Sequence, residues 1–68
     1  MDSSNLLVWI TLMDMSEGLR NTLRLYNSIH RKHNVFDVNK DDFMGIKGVG
    51  EKRWEEFEQL REQHLSAN

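Results

Sequence analysis

The chain contains no proline and no cysteine, and it has no apolar run long enough to cross a bilayer. Without cysteine there can be no disulfide, no thiol chemistry and no Cys-based zinc site, and nothing argues for an oxidising compartment. The longest apolar stretch, Leu6 to Met13, falls far short of the roughly 20 residues of a membrane-spanning helix, and Thr11 interrupts it. Met1 to Asn5 lack the positive region of a secretory signal, so the expected location is cytoplasmic. The absence of proline, together with weak strand-type alternation, predicts helices joined by short turns. An excess of positive charge is missing as well. Nine Lys and Arg stand against eleven Asp and Glu, a formal charge of −2, which is not the whole-domain signature of a nucleic-acid binder. A chain of 68 residues has room for one domain with a small core rather than a deep catalytic cleft, and so predicts a binding module.

What is present reads as an all-α fold: a compact four- to five-helix domain spanning residues 1–68. Ser3 or Ser4 is the expected cap of a first helix that is apolar nearly all round. Such a helix belongs in a core, or else Leu6, Trp9, Ile10 and Met13 form a surface for a protein partner or a second copy of the chain. Ser16 is the expected cap of a second helix running to about His33. Its core face is Leu19, Leu23, Tyr26 and His30, with Leu25 and Ile29 beside it. Arg20, Arg24, Asn27 and Arg31 form a neighbouring stripe at helical spacing. Between Gly18 and Phe36 there are four cations and no acid, whereas Glu51 to Glu62 holds five glutamates against three cations. This lopsided charge suits a phosphate-contacting stripe, a charged protein partner or plain solvation.

Asn39 is the expected cap of a short third helix, Lys40 to Met44, which Gly45 stops. The last helix is expected from Gly50 or Glu51 to about Leu65, with Trp54, Phe57, Leu60 and His64 on its buried face. Between these helices lies the most specific element of the chain, Ile46-Lys47-Gly48-Val49-Gly50. Gly48 and Gly50 allow a tight turn that aims main-chain amides outward at a helix start, a place that attracts anions. Lys47, Lys52 and Arg53 add cations around it, and Glu51 opposes them. The bland alternative is that the glycines serve only the turn.

Catalysis has no support in the residues. The serines fall in capping or exposed roles, Glu55 and Glu56 face different directions on a helix, and His30, His33 and Asp37 lack a convincing further metal ligand. The reading is therefore a non-enzyme with no cofactor, no metal and no small-molecule substrate.

Phe43 to Leu60, a short helix followed by hydrophobic-x-Gly-hydrophobic-Gly and a second helix, resembles the helix-hairpin-helix family, and residues 39–65 are the expected extent of the motif. Arg24-Leu25-Tyr26-Asn27 resembles the Arg-x-x-Asn element that precedes the hairpin in the C-terminal domain of the bacterial RNA polymerase alpha subunit. The resemblance implies a weak or nonspecific DNA contact accessory to transcription, replication or repair. In it, amides from Val49 to Lys52 meet phosphate oxygens, Lys52 or Arg53 reinforces them, and Arg24 and Asn27 approach the minor groove. The rival expectation is a protein-interaction module that binds a transcription or replication enzyme or self-associates through its first helix.

Overall fold

Short polar side chains start most of the helices, because a helix leaves its first amides without partners and a nearby side-chain oxygen can accept from them. The computed structural model describes residues 4–66. In it the Asn5 carboxamide oxygen accepts from Leu7 N at 2.9 Å and Val8 N at 3.2 Å and opens α1, Leu6–Leu12. The cap is thus Asn5 rather than Ser4, and Ser3 lies outside the described residues. Ser16 caps α2, Glu17–His30, through a bond from Leu19 N. Asn39 caps α3, Lys40–Met44, accepting from Asp41 N at 2.7 Å. The fourth helix, α4, is Glu51–Ser66.

The second helix ends three residues short of the expected His33. Arg31 takes the left-handed conformation at φ 53° and closes the last turn by donating to Asn27 O at 2.9 Å. That reversal lets the following loop pair with the start of α1: Leu6 N donates to His33 O at 2.8 Å and Val35 N to Ser4 O at 2.9 Å. A short 3-10 turn, Val35–Asp37, follows under an Asn34 cap and was not signalled by periodicity.

All four helices are thereby tied round one core, and no β-strand occurs among the described residues. The Cα radius of gyration is 11.0 Å, matching the ~11 Å expected of a compact chain of this length. The fold is a small all-α domain, as the sequence pattern predicts. At its centre Phe43 of α3 stacks on Phe57 of α4 with rings 5.9 Å apart and 3° from parallel, and Trp9 of α1 meets Phe57 edge-on at 6.1 Å. Such pairs add ~0.5–1.5 kcal/mol beyond the area they bury. From α2, Leu19, Leu23 and Tyr26 are fully buried, whereas Leu25 and Ile29 are exposed. The Tyr26 hydroxyl accepts from Asn39 N at 3.3 Å, which fixes the entry of α3 against α2.

Candidate nucleic-acid interface

The segment from Gly45 to Glu51 reverses the chain between α3 and α4 by a hydrogen-bonded turn. Val49 N donates to Ile46 O at 3.2 Å, and Gly48 at the third position has φ 87°. This is the conformation of a type II turn, which strains any residue bearing a Cβ. The space a side chain would occupy is open at both Gly48 and Gly50. At Gly48, then, the glycine is demanded by backbone conformation rather than by crowding. Ile46 fills the underside of the turn, buried in the core, and Val49 packs half-buried beside it.

The turn bond divides the amides expected to meet phosphate. Val49 N, the first of that series, is occupied by Ile46 O. Gly50, Glu51 and Lys52 amides have no acceptor among the described residues, nor do those of Lys47 and Gly48. Three consecutive donors therefore open outward at the start of a 16-residue helix, where the helix dipole adds positive potential. Glu51, exposed in the first turn, is the carboxylate that this dipole favours.

The cations divide as well. Lys47 and Lys52 are exposed and lack ion-pair partners among the described residues. Arg53 points instead back to α2: Nη1 donates to Thr22 Oγ1 at 3.2 Å, and the guanidinium lies against Gly18. A Cβ at Gly18 would stand 2.9 Å from Arg53 Nη2, so the absence of a side chain there makes room for the arginine. Beside this contact Glu56 accepts from Ser16 N at 3.0 Å and Ser16 Oγ at 2.7 Å, binding the start of α2 to α4.

The arginine stripe of α2 lies elsewhere. Arg20 donates through its guanidinium to Ile10 O and, at 2.9 Å, to Met13 O, satisfying carbonyls at the end of α1. Arg24 and Arg31 are exposed and Asn27 is half-buried. At about 100° per residue, Arg24 and Asn27 lie about 100–160° round α2 from Leu25 and Ile29, which border the hairpin, and Arg31, left-handed beyond the last turn, falls outside that pattern. Lys47 and Lys52 thus flank the open amides along the chain but line different hollows, Lys47 beside Asp41 and Asp42 and Lys52 beside Ser16 and Glu56, while Arg20 of the stripe is tied to α1.

For the first helix, burial corrects the expected partner surface. Leu6, Trp9 and Ile10 are 0%, 1% and 4% exposed and Met13 packs half-buried on the core, because α1 turns this face toward α2 and α4. Leu7 and Leu12 are the exposed apolar residues of α1. No metal-holding cluster of His, Asp and Glu occurs among the described residues, where His30 lies against the Tyr26 ring at 4.5 Å. No helix among them is long and apolar enough to cross a membrane.

Arg61, which its i,i+3 spacing predicts to be an exposed partner of Glu58, has a larger structural role than that pairing. The Arg61 guanidinium sits 4.9 Å from the Trp54 ring centre and 4.8 Å from that of Phe57, and it donates to Val35 O and Val38 O, each at 3.3 Å. Burial holds its pKa below the ordinary arginine value, while nearby Glu58 pulls the other way. The signal was its spacing, four residues after Phe57 and seven after Trp54, which puts all three on one helix face. Glu58 itself accepts from Trp54 Nε1.

No protein-family model, curated protein or solved structure matches the chain.

Proposed function

We propose that the chain is a non-catalytic, cytoplasmic DNA-binding module of helix-hairpin-helix type, accessory to transcription, replication or repair. The amides of Gly50, Glu51 and Lys52 grip a phosphate, and the Lys47 and Lys52 ammonium groups hold its neighbours. The observation that carries this reading is the run of three amides without acceptors flanked by two cations without ion-pair partners among the described residues. Lys52 adds to it, because a cation in the first turn of a helix opposes the dipole and is explained by an anionic ligand rather than by stability. Arg53 and Arg20 drop out of the contact, since both guanidiniums are engaged inside the protein. Arg24, Asn27 and Arg31 form a second edge that meets DNA only if the duplex bends or a second molecule binds.

With two or three phosphates neutralised, affinity for a fluorescently labelled duplex should fall about 10- to 40-fold between 50 and 200 mM salt. Lys52→Glu should weaken binding about tenfold and flatten that salt dependence. Absence of binding at low salt would sink the proposal and leave the protein-interaction reading, in which the module binds a transcription or replication enzyme or a second copy of itself.

A further inference from the structure

Lined in part by the hairpin residues Gly45, Ile46 and Lys47, a groove of about 380 Å³ runs between α2 and α3. Its α2 wall is Leu25 and Ile29, one turn apart and 47% and 57% exposed, two of the five exposed large aliphatic residues among the described ones. Ile46 forms part of the floor, 8% exposed. Asp41 and Asp42 stand along the α3 edge, both exposed, and neither carboxylate has a cationic partner among the described residues. Lys47 lines the groove as well, without an ion pair to either carboxylate, so the aliphatic ridge faces two acids and one lysine, a surface that remains net acidic.

We infer that this groove docks a short amphipathic helix of a protein partner, one that inserts aliphatic side chains between Leu25, Ile29 and Ile46 and sets lysines or arginines against Asp41 and Asp42. The paired acids choose this occupant over the alternatives. With two carboxylates against one lysine, a nucleic-acid backbone or an anionic membrane is disfavoured along the α3 edge, and a neutral aliphatic ligand would leave both carboxylates uncompensated. The volume accommodates side chains of one helix face, and the i, i+4 ridge of α2 offers the spacing into which such a face packs. Lys47 borders both surfaces, but the docking contacts are Leu25, Ile29, Ile46, Asp41 and Asp42, so the inference does not depend on the phosphate grip.

The test uses the whole chain and an acetylated, amidated peptide of about 12 residues with leucines at i, i+4 spacing flanked by lysines, titrated by nuclear magnetic resonance. The expected result is saturable binding, with a dissociation constant on the order of 10–100 μM, and amide shifts at Leu25, Ile29 and Ile46. Asp41→Asn with Asp42→Asn should weaken it about tenfold, and Ile29→Ser by at least as much, with helical circular dichroism unchanged. A glutamate-flanked peptide of the same apolar pattern should not bind. The inference is overturned if no saturation is reached at millimolar peptide, if the glutamate version binds equally, or if the shifts gather at Phe36 and Leu65 instead. It is likewise overturned if sedimentation shows a dimer of the chain that Ile29→Ser abolishes, for then a second copy covers the groove.

Discussion

At its first turn α4 presents three amides without acceptors and an exposed lysine; toward its other end Arg61, also a cation on the same helix, lies over two aromatic rings and donates to two carbonyls of another segment. The two regions differ in what surrounds the charge. Around Arg61 the chain folds back, with Val35 and Val38 supplying carbonyls to Nη1 and Trp54 and Phe57 supplying ring faces to the planar guanidinium. Lys52 is exposed and makes no ion pair among the described residues, and the Gly48 and Gly50 sites open to solvent. Counting cations along α4 would treat the two ends alike. The contacts divide them into a residue spent on the fold and a residue available to a ligand.

The sharpest way to break the comparison is to remove the aromatic platform. Phe57→Ala should destabilise the protein by about 3–5 kcal/mol, against a total of roughly 3–10 kcal/mol for a chain of this length. Thermal melts followed by circular dichroism would show a largely unfolded chain at 37 °C, and a stable variant would mean that the closed end is not what holds the domain together. Arg61→Ala should cost about 2 kcal/mol in urea denaturation, from lost ring contacts and two lost carbonyl bonds. Arg61→Lys should recover less than half of this, since an ammonium lacks the flat guanidinium that lies over the Trp54 and Phe57 rings. Full recovery would show that charge alone, not guanidinium geometry, matters there.

At the open end the effects are smaller and fall on particular backbone positions. Gly48→Ala should cost about 1 kcal/mol because its positive φ strains a Cβ, while Gly50→Ala should stay within about 0.5 kcal/mol. Equal effects at the two positions would contradict the turn geometry. Lys52→Glu should alter stability least, raising it by about 0.3 kcal/mol because an acid suits a helix start better than a base. The same variant should lose most of its affinity for duplex DNA in an anisotropy titration. A substitution that stabilises the fold while abolishing the proposed contact would separate the two uses of charge most cleanly.

Much of the architecture could be read from residues close in sequence, because helix formation is largely a local matter. Ser16 and Asn39 cap the helices expected of them, the Leu19, Leu23 and Tyr26 spacing marks the buried face of α2, and the glycine pattern from Ile46 to Gly50 marks a turn between two helices. These depend on helical period, on a side-chain oxygen within reach of its own backbone, and on the dihedrals open to glycine. The fate of the arginines depended on the assembled fold. Arg20, Arg53 and Arg61 find acceptors 10, 31 and 26 residues away, and Arg31 adopts a left-handed conformation where the loop after α2 meets the start of α1. A long flexible cation carries no local sign of whether it will face water or another helix's carbonyls. Only when α1, α2 and α4 had come together was it decided that Leu6, Trp9 and Ile10 turn inward and that Lys47 and Lys52 remain beside the open amides.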